Sequence, residues 1–331
     1  MKILIIGRYK KQFPQNLLPF VLEQGESLRE LGMTIDYMPV RGNYILAVRE
    51  LKRKIQAFKP DIIHAHYGLS AITAELQSLV PVVTTFHNGE TLNWHVNFLT
   101  SIFSRRAKHV VYVAQHIHDL VYFKAKKYSI IPCGVNMEDC HIIDQAIARQ
   151  QLGFEDGVKY ILFGGGFDNL RKNYAILREA VERIEQATWV PVQGGERCGN
   201  IICLEMKGLS RADCVLRMNA CDLFALPSHS EGSPQALKEA MACNCPILAT
   251  DIADVRTLLG DLSGNYILRN PRKTHERWDA DEKSLDEMVI LLQEALHFTG
   301  RTNGRDRITE LQLSNEQVAE QLIEIYEQVL V

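Results

Sequence analysis

Short apolar runs that alternate with helical ones place the strongest constraint on how this chain folds. Lys2–Ile6, Thr34–Pro39, Asp61–His66, Pro81–His87, His109–Ala114 and Tyr128–Pro132 read as strands. Between them, Leu17–Leu31, Ile45–Phe58, Ala71–Leu79 and Ile117–Phe123 carry helical spacing. The strands are continuously apolar, as expected when both sheet faces are covered, and such alternation predicts a doubly wound parallel sheet with ligands at the carboxyl ends of its strands. A relaxed stretch over 133–155, including a polar helix Asp144–Leu152, reads as a linker. A second series then begins: Lys159–Phe163, a helix Tyr174–Glu185, strands Trp189–Val192 and Ile201–Glu205, and a helix Ser210–Ala220. After Asp222–Pro227 and Ile247–Thr250 come a helix Asp254–Leu259, an edge strand Asn265–Leu268 and a helix Ser284–Leu296. Ser314-Asn315-Glu316-Gln317 is a capping box that opens a last amphipathic helix. At 331 residues the chain holds two such domains comfortably.

Composition narrows the class. With 46% hydrophobic and 23% charged residues and no run of 18 apolar ones, the expectation is a cytoplasmic globular protein. Its eight cysteines lack paired Cys-x-x-Cys spacing, so we expect reduced thiols rather than disulfides or zinc. The net charge of −3 conceals an asymmetry: 17 Lys+Arg against 9 Asp+Glu give residues 1–132 a net +8, leaving −11 for residues 133–331. A basic half of this kind suits an anionic membrane surface or an anionic substrate, and equally a solvated basic face.

The chemistry concentrates around Ser228–Pro246. A buried-type strand runs into a polar loop holding Glu231, Gly232 and Ser233, and then into a helix that carries Gln235, Ala236 and Glu239. Ser233 is expected as N-cap, Pro234 at the first helical position and Asn244 as a left-handed C-cap, for a helix of about ten residues. A helix N-terminus favours an anion, whereas carboxylates such as Glu231 and Glu239 accept hydrogen bonds from paired sugar hydroxyls. A phosphate between two such carboxylates describes a nucleotide-sugar. The alternative is two solvated glutamates. Gly164-Gly165-Gly166 after a strand, followed by Arg171-Lys172, allows close approach and supplies cations, although it is neither Gly-x-Gly-x-x-Gly nor a Walker loop. Among the strand-end histidines His64, His66 and His87, a metal site is not expected; one of them is taken as structural and His87 as a substrate contact. Asp279-Ala280-Asp281 reads as helix capping rather than a metal motif.

Phe224-Ala225-Leu226-Pro227-Ser228, Ser230-Glu231-Gly232, Glu239-Ala240-Met241-Ala242-Cys243 and Pro246–Asp251, with Asp61–His66, Thr85-Phe86-His87 and Ile131–Asn136 upstream, resemble the retaining GT-B enzymes of glycosyltransferase family 4. The resemblance implies two Rossmann-like domains facing a central cleft: 1–145 for the acceptor and 146–313 for the nucleotide-sugar, with the helix 314–331 packing back on the first. It further implies that His87, Glu231 and Lys172 are catalytic. Gly165, Gly166, Arg171, Lys172, Gly232, Ser233, Gln235, Ala236 and Glu239 would bind the donor, UDP-linked in preference to GDP-linked. No metal or cofactor is expected and no nucleic acid. The basic N-terminal half favours a glycan or lipid-linked glycan in cell-surface polysaccharide synthesis as the acceptor, with peripheral contact to the inner face of an anionic membrane. The chain departs from the family pattern at Gly7-Arg8-Tyr9-Lys10-Lys11, at Phe167 in place of Arg and at Asn244 in place of Gly. Another GT-B activity, an epimerase or phosphorylase, is the near alternative. A nicotinamide-dependent dehydrogenase or a non-catalytic sugar-binding subunit is more distant.

Overall fold

The computed structural model describes residues 1–42, 46–89, 91, 93–269 and 282–331; the expected helix start at Ile45 and the Asp279–Asp281 motif lie outside these residues. The chain divides into two units, Met1–Gly134 with Gln312–Val331, and Val135–Leu311.

In the first unit the strands are β1 (Lys2–Arg8), β2 (Thr34–Val40), β3 (Ile62–His66), β4 (Val82–Phe86), β5 (His109–Tyr112) and β6 (Tyr128–Ile130). They form one parallel sheet in the order β2-β1-β3-β4-β5-β6. Every residue of β3, β4 and β5 is buried, which explains why they are mostly apolar, with His64, His66, Thr84, Thr85 and His109 buried among the apolar residues. Strand order reverses between β1 and β3, so the carboxyl ends of those two strands flank the switch point where such sheets bind ligands.

The last helix, Asn315–Leu330, belongs to this unit. The Ser314 capping box forms as expected, and the helix packs on the helix Pro19–Glu30. Tyr326, fully buried, places its hydroxyl 2.6 Å from His64 Nδ1, while His64 Nε2 lies 2.7 Å from Thr85 Oγ1. His64 is therefore a structural histidine: burial, then its neighbours His66 and His87, hold its pKa well below the ordinary value, and it stays neutral.

The second unit contains β7 (Lys159–Phe163), β8 (Trp189–Val192), β9 (Gly195–Cys198), β10 (Ile201–Glu205), β11 (Leu223–Leu226), β12 (Ile247–Thr250) and β13 (Asn265–Leu268). Sheet order is β13-β12-β11-β7-β10-β9-β8. The sheet is not parallel throughout: β8, β9 and β10 pair antiparallel. Segment 195–198 carries no strand signal of its own, but the turns bearing Gly194 (φ 73°) and Gly199 (φ 55°) fold the chain back tightly at each end of it. The helix Gln145–Leu152, read as linker, packs on the helix Arg211–Ala220. Two further helices, Trp94–Ser104 and Gly304–Glu310, were not anticipated from the sequence. All eight cysteines are free thiols, seven of them buried.

The helix Gln235–Ala242 is anchored at its far end. Asn244 adopts φ 53°, as the capping argument requires, and its side chain accepts from Arg305 N at 2.8 Å. Arg305 and Arg301 donate to the carbonyls of Ala242 and Cys243 at 3.1 Å each. These contacts satisfy acceptors that a helix C-terminus otherwise leaves unpaired.

Removing the Tyr326 hydroxyl leaves a buried imidazole nitrogen short of its best partner. Tyr326→Phe should lower stability by about 1–3 kcal/mol, read as an earlier urea midpoint for the first unit.

Candidate active site

The loops that carry the expected site residues leave the carboxyl ends of two neighbouring central strands, β7 and β11, where the order of the second sheet reverses. After β7 the chain passes tightly under its own core. A Cβ on Gly164 would lie 2.7 Å from both Leu226 Cδ1 and Phe224 Cζ, and one on Gly165 would lie 2.8 Å from Lys172 Cγ. The glycines thus let the Lys172 stem cross the backbone. A single 3-10 turn, Leu170–Lys172, follows, with the Asn169 side chain accepting from Arg171 N at 3.2 Å. Asn173 then breaks the path at φ 58° before the helix Tyr174–Glu185 begins. Phe167, where the family pattern has Arg, stacks on Tyr174 with ring centroids 3.8 Å apart and contributes no charge.

This path points two cations at the β11 loop. Lys172 Nζ lies 2.7 Å from Glu231 Oε1, and Arg171 Nη1 lies 3.0 Å from Glu231 Oε2 and 2.5 Å from the Ser230 carbonyl. His229 N donates to the Arg171 carbonyl at 2.9 Å, so backbone and side chains tie the two loops together. The Glu231 side chain is only 9% exposed. Burial alone would raise its pKa, but Lys172 and then Arg171 outweigh that and hold it below the ordinary carboxylate value.

The helix that follows spans Gln235–Ala242, eight residues rather than ten, and its N-cap is Pro234 without a side-chain cap. Ser233 is not the cap. Its hydroxyl donates instead to Asp254 Oδ2 at 2.6 Å and accepts from Lys238 Nζ at 3.3 Å. Lys238 is fully buried. Gln235 and Ala236 form the first turn, half-buried. Glu239 sits one turn on, with Oε1 3.2 Å from Arg211 Nη2. Arg211 lies one residue after the Ser210 cap. The structure therefore gathers Gly165, Gly166, Arg171, Lys172, Glu231, Gly232, Ser233, Gln235, Ala236 and Glu239 on two loops and one helix. Arg211, Lys238 and Asp254 are participants the sequence reading did not identify. Arg211 carries no local signal, because its partner is 28 residues away.

His87 belongs to the first unit, just past β4. It is buried, with Nε2 3.1 Å from His66 Nδ1, and its ring lies 4.8 Å from Phe20 and 4.7 Å from Tyr67, centroid to centroid. Burial lowers the His66 pKa to about 3. Tyr67, directly after β3, has φ 69° and ψ 137°, a conformation that bulky residues rarely adopt and that commonly marks a functional loop. No group of three or more His, Cys, Asp or Glu suited to a metal ion occurs among the described residues.

Comparisons with known proteins follow this division. Residues 23–139 match the family model Glycosyltransferase Family 4, and residues 158–287 match Glycosyl transferases group 1. The chain is 27% identical over 251 residues to the putative teichuronic acid biosynthesis glycosyltransferase TuaC of Bacillus subtilis, covering 70% of this chain and 62% of that protein. It is 24% identical over 283 residues to the D-inositol 3-phosphate glycosyltransferase of Segniliparus rotundus, covering 74% of this chain and 62% of that protein. The chain thus spans less than two thirds of the length of these curated relatives. Among solved structures, sucrose-phosphate synthase from Thermosynechococcus elongatus superposes with a TM-score of 0.77 at 16% identity, covering 99% of this chain and 98% of that one. Anabaena HepE in complex with UDP and glucose superposes with a TM-score of 0.72 at 14% identity, covering 99% and 100%.

The pH dependence of the Glu231 cluster follows from the sign of its shift. A depressed carboxylate pKa contributes stability that is present above the unfolded value, about 4.3, and is lost as pH falls through the folded one. The thermal stability advantage of the wild type over Glu231→Gln should be full at neutral pH and shrink on acidification below about pH 4. A difference independent of pH would show that the cations do not hold Glu231 ionised.

By these matches the chain is similar to Glycosyltransferase Family 4 over residues 23–139 and to Glycosyl transferases group 1 over residues 158–287, and its fold is GT-B.

Proposed function

We propose that this protein transfers a sugar from a nucleotide-sugar, UDP-linked in preference to GDP-linked, to a hydroxyl of a glycan or lipid-linked glycan in cell-surface polysaccharide synthesis. One observation carries the reading: Glu231 is held between Lys172 and Arg171 beside the N-terminus of the helix Gln235–Ala242. The names of the relatives support the direction. TuaC is a putative teichuronic acid biosynthesis enzyme, a Streptococcus pneumoniae relative is an alpha-galactosylglucosyldiacylglycerol synthase, and HepE was solved with UDP and with UDP-glucose.

The pairing leaves capacity for substrate. The Glu231 oxygens meet Lys172, Arg171 and the Ser228 hydroxyl, and the two oxygens together have acceptor capacity left for a sugar hydroxyl. Lys172 has three N–H donors and directs one at Glu231, so the others can meet a diphosphate. In this reading the amides of Gly232, Ser233 and the first helical turn hold the phosphates, and Gly165 and Gly166 let them approach the backbone. Glu239 accepts from the ribose, with Arg211 fixing its rotamer. As the glycosidic bond breaks, negative charge grows on the departing diphosphate, where fixed cations and the helix N-terminus lower the barrier. The reading calls for no metal. The acceptor hydroxyl attacks the anomeric carbon from the face the diphosphate leaves and passes its proton to the departing phosphate oxygen, which retains the anomeric configuration. His87 is assigned to the sugar.

Several measurements test this. Saturating UDP, at 100 times its dissociation constant, should stabilise the second unit by roughly 2.7 kcal/mol in a thermal-shift assay. Glu231→Ala and Lys172→Ala should each reduce kcat about 10²-fold or more, Glu239→Ala should chiefly raise the donor KM, and EDTA should leave the rate unchanged. His87→Ala should slow transfer without weakening UDP binding. Full activity in Glu231→Ala, or UDP-sugar hydrolysis with no transfer to any glycan, would overturn the reading.

A further inference from the structure

The helix Trp94–Ser104 presents its apolar residues outward and its polar ones inward. Its inner face, packed on the helix Gly68–Glu75, consists of Asn97, Thr100, Ser101 and Ser104, all buried. The approach is close: a Cβ on Gly68 would stand 2.6 Å from Thr100 Cβ. Each inward polar group is satisfied locally. Thr100 Oγ1 donates to the Val96 carbonyl at 2.7 Å, Ser101 Oγ to Phe98 and Ser104 Oγ to Ser101 at 3.0 Å, and Asn97 Nδ2 to Leu120 at 2.9 Å. The outer face carries Trp94 at 63% exposure, Phe98 at 45%, Leu99 at 44% and Ile102 at 41%. A surface helix bathed in water has the opposite arrangement.

The patch extends beyond the helix. Phe98 meets Tyr122 and Phe123 with ring centroids 6.2 and 5.6 Å apart, and Leu120 and Tyr122 are each 56% exposed. Contiguous apolar surface of this kind marks an interaction site. Exposed cations border it: Arg105 and Lys108 after the helix, and Lys124, Lys126 and Lys127 after Phe123. The nearby Asp119 carboxylate is engaged by His118 at 3.0 Å and Gln115 at 2.8 Å.

We propose that this face rests in the plane of an anionic phospholipid membrane, with Trp94, Phe98, Leu99, Ile102 and Tyr122 at the headgroup–acyl boundary and the bordering cations on lipid phosphates. The charge argues for this occupant. A second copy docked through the same face would set these cations against one another, whereas an anionic surface complements them. No described helix is long and apolar enough to cross a membrane, so the contact is one of lying on the surface. The inference stands apart from the transferase reading, because vesicle binding is measured without a sugar donor.

The test is flotation of the full chain with vesicles rich in phosphatidylglycerol and with vesicles of phosphatidylcholine alone. The protein should float with the anionic vesicles, dissociate at high salt and stay behind with phosphatidylcholine. Phe98→Ser combined with Ile102→Ser, and separately Lys126→Glu combined with Lys127→Glu, should each weaken binding by about tenfold or more. All substituted side chains are exposed, and an unchanged melting temperature confirms that the variants fold. Absence of wild-type binding to the anionic vesicles would overturn the proposal. So would undiminished binding by Phe98→Ser/Ile102→Ser, or light scattering that shows a dimer abolished by that variant.

Discussion

Everything distinctive about the second unit depends on one carboxylate shared by two cations. Of the pair, Lys172 matters more. It and Glu231 are 15% and 9% exposed, so their attraction is weakly screened, whereas Arg171 is 43% exposed and its contact is worth little by itself. A buried carboxylate with no partner would take up a proton; this one stays charged because Lys172 is fixed opposite it. The fixing is done by backbone. Gly165 makes room for the lysine stem, the 3-10 turn and left-handed Asn173 aim it, and His229 N on the Arg171 carbonyl locks the two loops in register. A site charged and rigid before substrate arrives requires little reorganisation when new negative charge appears, which is the condition for electrostatic catalysis.

Both units place their unusual chemistry at the reversal of strand order. In the second sheet this is β7 and β11; in the first it is the end of β3, where His66 and the strained Tyr67 stand beside His87. Buried parallel strands provide the rigid floor, and only the loops beyond their carboxyl ends are free to vary in chemistry.

Much of this was legible in the chain. Unbroken apolar strands such as Leu223–Leu226 and Ile3–Ile6 announce two-faced burial, and the helix Tyr174–Glu185 begins and ends where its spacing predicts. The capping box at Ser314 and the left-handed Asn244 follow from local chemistry alone. What was not legible depended on distant partners. Ser233 has the sequence of an N-cap, but Asp254, 21 residues on, takes its hydroxyl. Glu239 is legible as a candidate ligand, but the Arg211 that pairs with it lies 28 residues away and is not. Strand β9 escaped notice because glycines on both sides resemble a loop until they are seen closing two hairpins. The helix Trp94–Ser104 escaped for a different reason: small hydroxyl residues face inward, which reverses the pattern by which a helix is recognised.

The central claim is that the Lys172–Glu231–Arg171 cluster, with the helix Gln235–Ala242 behind it, is the nucleotide-sugar site. A crystal structure with a bound UDP-sugar tests this most directly. The account predicts the diphosphate at that helix N-terminus within hydrogen-bond reach of Lys172 Nζ and the Gly232 and Ser233 amides, the sugar hydroxyls on Glu231 and the ribose on Glu239. A nucleotide bound elsewhere, with no contact to Glu231, Lys172 or Glu239, would contradict it.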